Sequence, residues 1–524
     1  MSGIDSRRIG PREIAWWLVG FLVGLMLAAL DGPALFGWIA YALLGLAAGA
    51  GMGWVWRRVV GAEPARGLLA AVLLALGLRL AMALILAALL PAYGNDVGHH
   101  HEGTFFPDAF VRDRTAFAIG RTETSLLDSF DSAGGDQYGT LLFLTAVVYR
   151  LFGPEVERTI LPAAAAAAFG SLAVLWTWGF AMRAFDRRVA GISAWFVALY
   201  PEAILLGSQA MREPFVMAGM AAALYGYGIV RQGDMRSGLG WIAGGCLLCL
   251  AISPPFGVAA AGLIGLAWLW EGRARGRNTR WVMLGLVGVG LAAVALTVRA
   301  WLAVEASWAG AGGILSWWLE GVAFELGKLA SASGWIQYIF GQTPPWAHSP
   351  LATAYGLVQP FLPAALMDNT GVLLMQLVMI WRSLGWLAVL PVLLYAPFAS
   401  VRQEGWRSLP AYLTFVILVS AILISYRFAG DQWDSPRYRA ALLPYLGLLM
   451  GWAWGGAMVR RDRWLLWSVV LVVAEFMVLS WWYAGRYYHI PRLSLFRTLG
   501  IAGGVALLLM VAAFVVERRR ERLG

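Results

Sequence analysis

Long apolar runs recur from one end of this 524-residue chain to the other. A bilayer core about 30 Å thick is crossed by a helix of about 20 apolar residues. Lipid offers the backbone no hydrogen-bond partners, so a spanning segment must satisfy its own N–H and C=O groups as a helix. Only 13% of the residues are charged, against about 25% in soluble domains. We therefore predict an all-α polytopic membrane protein.

Fourteen runs are candidate spans. They cover residues 14–30, 34–56, 67–90, 159–182, 190–206, 212–230, 238–252, 256–270, 282–301, 383–400, 409–425, 439–458, 464–482 and 498–516. The first run follows three arginines, as in a signal peptide. The second run begins only a few residues later, however, which favours a membrane hairpin that stays in the mature protein.

The connections between alternate spans are rich in arginine, at 57–58, 183–188, 231–236, 273–280, 401–407, 460–463 and 517–522. Cytoplasmic loops collect basic residues. We therefore predict a multi-pass inner-membrane protein with both termini in the cytoplasm. The same rule accounts for the net charge of +10 without a nucleic-acid partner. Residues 139–152 are apolar but too short to cross, and we predict an interfacial helix on the outer leaflet.

This topology places two long segments outside, 91–158 and 302–382. Arg79 and Glu475 are the clearest charges within predicted spans, and both are interpreted as snorkelling or paired groups rather than parts of a transport path. The remaining charges fall at the outer surface or in the inner loops. That distribution favours chemistry at the membrane surface.

The outer stretch FFPDAFVRDRTAFAIGR covers residues 105–121. Pro107 suits the first turn of a helix and Gly120 its end. The spacing predicts an apolar stripe of three phenylalanines (Phe106, Phe110 and Phe117) that rests on the membrane or the spans. Asp108 and Arg112 are four residues apart on another face, as in a simple ion pair on a solvated helix.

Three stretches resemble the GT-C superfamily of integral-membrane glycosyltransferases, which includes protein O-mannosyltransferases and the lipid A aminoarabinose transferase. The outer helix with Asp108 is followed by an apolar segment that ends in Leu-Phe-Gly, at 151–153, and then by Arg158. The loop YPEAILLGSQAMREPF, 200–215, carries Glu213 after a Tyr-Pro span. DSPRYRAALLPYLGLLMG, 434–451, is similar to the Arg-Tyr-Arg entry into a late span.

The resemblance implies transfer of a sugar from a polyprenyl-phosphate donor to an acceptor hydroxyl, with inversion, on the external face. It divides the chain into an N-terminal transmembrane hairpin (1–66), a GT-C-like catalytic module (67–460) and a C-terminal hairpin with a basic tail (461–524). The acceptor class stays open between glycan, lipid and protein. Membrane lipids surround the spans.

Such a reaction needs a carboxylate to accept the proton of the acceptor hydroxyl and arginines to neutralise the phosphate that leaves. The resemblance and the chemistry favour Asp108 as the base, with Asp113 as its closest competitor and Glu213 as a further catalytic candidate. The candidate substrate-binding residues are Arg437, Arg439, Tyr438, Arg112, Arg212 and Arg158.

Several other features have simpler interpretations. Cys246 and Cys249 are expected to be small apolar residues on a buried helix rather than a redox or metal pair. The run His99–His101 and the acidic residues Asp128, Asp131 and Asp136 are expected to be solvated loop residues. We predict no metal site and no firm cofactor, while a divalent ion stays open. No glycine-rich phosphate loop is present, which suits a lipid-linked donor.

Two other classes of protein would share this architecture. A flippase or transporter of lipid-linked glycans also needs outer arginines but requires no base. A polymerase or ligase of lipid-linked glycans also uses outer arginines and depends less on an early carboxylate. An outer carboxylate that is essential for turnover would discriminate the transferase from both.

Overall fold

The computed structural model describes residues 10–31, 35–61, 65–131, 136–152, 156–272, 313–332, 334–368 and 371–523. Within them every regular element is a helix, which confirms the all-α prediction. Besides a short 3₁₀ turn at Leu126–Phe130, the helices are α1 (Pro11–Leu30), α2 (Leu35–Val59), α3 (Arg66–Tyr93), α4 (Gly98–His101), α5 (Pro107–Arg121), α6 (Thr140–Phe152), α7 (Ile160–Ala184), α8 (Arg187–Leu199), α9 (Pro201–Gly207), α10 (Glu213–Arg231), α11 (Met235–Ile252), α12 (Pro254–Trp270), α13 (Gly313–Ala332), α14 (Gly334–Gln342), α15 (Pro345–Val358), α16 (Leu362–Met367), α17 (Leu373–Leu387), α18 (Leu390–Glu404), α19 (Leu409–Arg427), α20 (Asp434–Ala440), α21 (Leu443–Arg460), α22 (Trp464–Tyr487) and α23 (Leu495–Leu523).

Thirteen of the predicted spans fall on described residues, and each coincides with an apolar helix or helix pair. Among the described residues, ten helices are long and apolar enough to cross a membrane, counting α17 and α18 as one. Two bent pairs, α8–α9 and α20–α21, pass the same test together, and α12 is shorter at 17 residues. The remaining predicted span, 282–301, lies outside the described residues. The protein is therefore a polytopic helical membrane protein.

The described residues form two compact units, and the boundary between them falls at Ile264 and Gly265, within α12. This boundary differs from the division at residues 66 and 460 that the resemblance implies, which stays a prediction.

The N-terminal hairpin of the first unit packs through glycine. A Cβ atom on Gly20 would lie 2.1 Å from the carbonyl oxygen of Gly45, and one on Gly49 would lie 2.3 Å from that of Trp16. Only glycine allows two membrane helices to approach this closely, and the gain is van der Waals contact between their backbones. The two helices α1 and α2 therefore pack backbone to backbone.

Helices α7 and α10 form the buried centre of the first unit. Small residues again set the contacts of α10, since a Cβ on Gly219 would meet the Cys249 sulfur of α11 at 2.5 Å. Cys249 is fully buried and Cys246 half-buried, and both thiols are free. The expected structural role of the two cysteines is confirmed for Cys249, which fills a helix–helix contact.

Helices α8 and α9 form a broken span with a bend of 51°. A helical carbonyl accepts from the N–H four residues later, and Pro201 has no N–H to give Val197. Arg79 of α3 supplies a replacement, with Nη2 3.5 Å from the Val197 oxygen, and its Nη1 donates to Ala75 at 2.8 Å. Arg79 is wholly buried, so it neither snorkels nor pairs with a described carboxylate. This side chain braces a break in the neighbouring span.

In the second unit, the short helix α20 leads into the span α21 through a bend of 77°. The aromatic rings of Tyr412 and Tyr445, from α19 and α21, are completely buried. At the other end of α21, the Asp462 carboxylate accepts from Tyr395, Arg402 and Gln403 at 2.7–3.0 Å.

The segment 313–382, expected as a long outer loop, is largely helical.

The predicted topology can be tested at the connection between α7 and α8. Asp186 caps α8 by accepting from the Val189 N–H at 2.8 Å, so a cysteine there would remove the cap. Arg188 is exposed and makes the better site. In a background without native cysteines, we expect Arg188→Cys to resist an impermeant thiol reagent applied to intact cells and Glu123→Cys to react. Labelling at 188 would invert the topology and the side on which every candidate residue lies.

Candidate active site

Helix α5 carries the candidate base, and its buried face differs from the predicted one. Pro107 is its first residue, as expected. The buried face comprises Ala109, Arg112, Asp113, Ala116, Ile119 and Gly120. Phe106, just before the helix, is buried, whereas Phe110 and Phe117 are half-buried. Phe117 packs on Tyr149 of α6 with ring centroids 5.3 Å apart, so the predicted phenylalanine stripe supplies part of the docking contact. The helix also buries two charged side chains, Arg112 and Asp113.

Helix α6 provides the surface against which α5 packs. Ala116 and Ile119 of α5 pack with Leu142, Ala146 and Tyr149 of α6. Gly120 permits the closest approach, because a Cβ there would lie 2.7 Å from the Tyr149 Cβ.

Arg150 closes the C-terminal end of α5. Its Nη2 lies within 2.6–2.8 Å of the carbonyl oxygens of Ile119, Thr122 and Thr124. The last carbonyls of a helix lack intrahelical partners and carry partial negative charge, which a guanidinium satisfies. The pair α5–α6 is thus joined by apolar packing and by one arginine.

Asp136 lies between two arginines that the sequence analysis proposed for substrate. Its Oδ2 is 3.9 Å from Arg112 Nε, and its Oδ1 is 3.8 Å from Arg212 Nη1. The carboxylate is completely buried, and the two arginine side chains are 2% and 13% exposed. The expectation that Asp136 is a solvated loop residue is therefore wrong. Its neighbours in sequence are polar, but its burial depends on arginines distant in the chain.

The same cluster contacts the loop between α9 and α10. Arg112 Nη1 donates to the carbonyl oxygen of Ala210, and the backbone N–H of Phe105 donates to Gln209 Oε1 at 3.1 Å. Arg212 also stacks over the ring of Tyr138, 5.1 Å from its centroid. The chain just before α5 and its first turns are thereby fixed to the first unit.

The candidates Asp108 and Glu213 both act electrostatically on Arg112. Burial lowers the pKa of Arg112, while Asp136, Glu213 and Asp108 offset that shift. Glu213 is buried at the first position of α10, where the helix dipole favours a carboxylate. Asp108 is exposed in the first turn of α5. Arg112 and Arg212 thus flank Asp136, and the charges of Asp108 and Glu213 both act on Arg112.

Asp113, the alternative base, is sealed beneath α5. Its Oδ1 accepts from the Tyr149 hydroxyl at 2.9 Å, and that hydroxyl accepts from the Arg158 N–H at 3.0 Å. The cavity beside it has a volume of about 20 Å³, room for a single water molecule. A sugar hydroxyl on an acceptor molecule has no room there.

Burial raises the pKa of Asp113 to about 7. The native state therefore keeps a proton between pH 4 and 7 that the unfolded chain has lost, so stability falls as pH rises through this range. We expect Asp113→Asn to remove a slope of up to about 1.4 kcal/mol per pH unit. The check is the apparent unfolding temperature of purified protein between pH 5 and 8.

His99 and His100 act in the opposite direction, because burial lowers the pKa of both and stability then rises with pH. The difference between wild type and variant isolates the carboxyl group. Equal pH dependence in the two proteins would mean that Asp113 is ionised throughout.

The histidine run forms the short helix α4 rather than a solvated loop. His100 is buried, and its Nδ1 accepts from the Asn95 N–H at 2.9 Å. His101 is exposed and lies 2.9 Å from Asp96. Among the described residues, no three histidine, cysteine, aspartate or glutamate side chains are grouped as metal ligands.

Arg158 lies beside the N-terminal hairpin. A Cβ on Gly37 of α2 would be 2.6 Å from Arg158 Nε. The positive charge of Arg158 acts on Asp31, and the Asp31 carboxylate accepts a hydrogen bond from the Tyr41 hydroxyl at 2.6 Å. These contacts give Arg158 a role in fastening the hairpin, and its proposed role in substrate binding stays a prediction.

In the second unit, α17 and α20 exchange two cation–π contacts. Arg382 of α17 lies 4.4 Å from the Trp433 ring centroid, at the start of α20. Arg439 of α20 lies 3.8 Å from that of Trp386 in α17. Arg382 was not predicted as a site residue, because it lies just before the predicted span 383–400. Its position one helical turn before Trp386 was the available signal.

The two arginines proposed for donor phosphate differ in their contacts. Arg439 donates to the carbonyl oxygens of Gly356 and Gln359. Arg437 contacts Asp434 Oδ1 at 3.8 Å within its own helix. Tyr438 is half-buried and stacks on Phe428, with centroids 4.5 Å apart. Arg439 is therefore built into the backbone packing of this unit.

These contacts predict that the two alanine variants differ in stability. We expect Arg437→Ala to weaken use of the lipid-phosphate donor and to lower the unfolding temperature less than Arg439→Ala does. Arg439→Ala should weaken donor use and also destabilise, because two carbonyls lose a charged donor. Lysine should restore either variant only in part, since it lacks the planar fork. Unchanged donor kinetics in both alanine variants would remove them from the site.

Comparisons with known proteins found no sequence match and only low structural similarity. No family model matches the sequence, and no curated protein matches it. Two solved structures of an Archaeoglobus fulgidus oligosaccharyltransferase align with it at 14% identity. The AglB complex with an inhibitory peptide and a dolichol-phosphate covers 85% of this chain with a TM-score of 0.36, and the apo form covers 83% with 0.37. The chain spans about 55% of their length. Scores this low establish neither family nor activity, so what is established for this chain is a polytopic all-α membrane fold.

Proposed function

We propose that this protein is a membrane glycosyltransferase that moves a sugar from a polyprenyl-phosphate donor to an acceptor hydroxyl on the external face. The observation that carries the proposal is that the two aspartates of α5, Asp108 and Asp113, differ in exposure. Asp113 is sealed and hydrogen-bonded, whereas Asp108 is exposed near a cluster of buried charges. A carboxylate that accepts a proton from an incoming hydroxyl must be reachable in this way.

In the proposed reaction, the acceptor oxygen attacks the anomeric carbon while Asp108 takes its proton. The bond between that carbon and the phosphate oxygen breaks, and the lipid phosphate leaves with the electron pair. Attack from the opposite side inverts the anomeric centre. Arg437, with Arg439 and Tyr438 next to it, is the proposed group that meets the phosphate.

In this proposal, a cluster of four charged residues positions the helix that carries the base. Arg112 and Arg212 together carry two positive charges, and Asp136 and Glu213 carry two negative ones. A nearly neutral, buried cluster holds the first turn of α5 without competing for the donor. Glu213 remains a second catalytic candidate, because its charge also acts on Arg112.

The test begins with the glycans and lipids of a deletion strain. We expect loss of one transferred sugar and accumulation of the matching lipid-phosphate sugar. Complementation with Asp108→Asn should leave that pattern unchanged. Accumulation of a lipid-diphosphate glycan unit would indicate a polymerase or ligase instead. Full complementation by Asp108→Asn would favour a flippase, which needs no base.

A further inference from the structure

A small cavity lies beneath the buried face of α5, where this helix meets α3, α7 and the loop between α9 and α10. Its volume is about 20 Å³, and a buried water molecule needs a space of about 10–15 Å³ or more. Every residue of the lining belongs to the part of the chain that the structure describes. The cavity therefore has the size of one water molecule.

Asp113 lines this cavity with a carboxyl oxygen that is not otherwise bonded. Its Oδ1 accepts from the Tyr149 hydroxyl, whereas Oδ2 is buried and has no hydrogen-bond partner among the described residues. The residue is only 3% exposed. A buried polar atom without a partner destabilises the folded state, and ordered water commonly satisfies such an atom in native proteins.

A second acceptor results from a proline in α3. Pro91 lies inside this helix and has no N–H to give the carbonyl oxygen of Ala87, four residues earlier. Ala87 also lines the cavity. Gly103 packs so closely on that carbonyl that a Cβ atom there would lie 2.9 Å from the oxygen. A donor for this oxygen must therefore be small.

Two threonines add hydroxyl groups to the lining, Thr104 before α5 and Thr159 at the start of α7. Thr104 is buried, and the Thr159 hydroxyl makes no capping bond to its helix. A hydroxyl donates one hydrogen bond and accepts up to two. The lining thus combines acceptors with donors, as a water molecule requires.

We propose that this cavity binds one water molecule, hydrogen-bonded to the Asp113 carboxyl, the Ala87 carbonyl and the two threonine hydroxyls. Four partners lie within the range of about two to four hydrogen bonds that buried waters make. Through these bonds the water joins α3, α5 and α7. The site does not depend on the proposed transfer reaction.

Water suits these groups better than a metal cation does. Burial raises the pKa of Asp113 to about 7, so both forms of this carboxyl are populated near neutral pH. Water donates to the ionised carboxylate and accepts from the protonated acid, whereas a cation binds only the ionised form. A cation would also leave the two threonine protons in need of another acceptor.

The test is the infrared difference spectrum of the purified full-length protein between about pH 5 and pH 8, the range in which Asp113 titrates. A water bonded to this carboxyl changes its O–H stretch when the carboxyl loses its proton. We expect such a band, shifted in H₂¹⁸O, in the wild type and its loss in Asp113→Asn. Thr104→Val/Thr159→Val should also lose it, because two of the water's four partners are removed while the side chains keep their shape.

Thr145→Val is the matched control. Thr145 is buried on α6 outside the cavity, and its hydroxyl already donates to the Leu141 carbonyl at 2.8 Å. We expect this variant to keep the band. A density map of the wild type in nanodiscs, at a resolution that shows ordered water, should contain one peak about 2.8 Å from Asp113 Oδ2 and from the Ala87 oxygen.

Three outcomes would overturn the proposal. A wild-type spectrum with no H₂¹⁸O-sensitive band that depends on Asp113 would mean that no water is bonded to this carboxyl. An unchanged band in the threonine double variant would mean that the water lies elsewhere. Loss of the density peak when sodium and potassium are replaced by choline would identify a metal ion as the occupant.

Discussion

Asp108→Asn is expected to lower turnover by about 10² to 10⁴-fold, the usual contribution of a general base. The change keeps the shape and hydrogen-bonding capacity of the side chain but removes its ability to accept a proton. Because Asp108 is exposed, the fold and donor binding should survive. The measurement is the transfer rate with the lipid-linked donor identified from the deletion strain, alongside donor affinity.

Asp113→Asn is the matched control for this prediction, since it makes the same change five residues further along α5, on its buried face. We expect a milder loss, because the asparagine can still accept from Tyr149. If Asp113→Asn abolished turnover while Asp108→Asn did not, the base would be Asp113. If neither variant lost activity, α5 would be a structural helix and the transferase proposal would lose its main support.

Asp136→Ala should be the most destabilising single change at the site. It would leave the buried guanidinium groups of Arg112 and Arg212 without the carboxylate between them, a loss of about 3–5 kcal/mol. The readouts are the apparent unfolding temperature and the yield of monodisperse protein.

Asp131→Ala removes an exposed carboxylate from the same connection and serves as the control. We expect it to behave as wild type, and Asp136→Asn to fall between the two alanine variants. Equal stability of Asp136→Ala and Asp131→Ala would mean that water, rather than Asp136, compensates the two arginines.

The spans were predictable because lipid imposes one local requirement, a long apolar helix. The run 238–252, for example, lies within Met235–Ile252. The prediction was less good where a charge is buried by tertiary contacts. The span predicted at 383 belongs to a helical stretch that begins at Leu373, since Arg382 looked like a boundary but is covered by Trp433.

The candidate site was predictable only in part, for the same physical reason. Pro107 and the spacing of Asp108 and Arg112 are local signals, and they placed α5 correctly. The burial of Arg112 and Asp136 depends on Ala210 and Arg212, which lie 98 and 76 residues further along the chain respectively. No local pattern carries that information, so Asp136 looked like an ordinary loop residue.

The brace between Arg79 and the broken span has a consequence for synthesis of the protein. Its acceptor on α8 is 118 residues further along the chain, which at 5–20 residues per second is on the order of ten seconds of translation. During that interval α3 carries its guanidinium without this partner, at an insertion cost of about 2.5–3.5 kcal/mol. The apolar remainder of α3 must hold the helix in the bilayer until α8 arrives. The first unit therefore cannot be complete until α8 is made, when the span interrupted at Pro201 meets a charge that was inserted well before it.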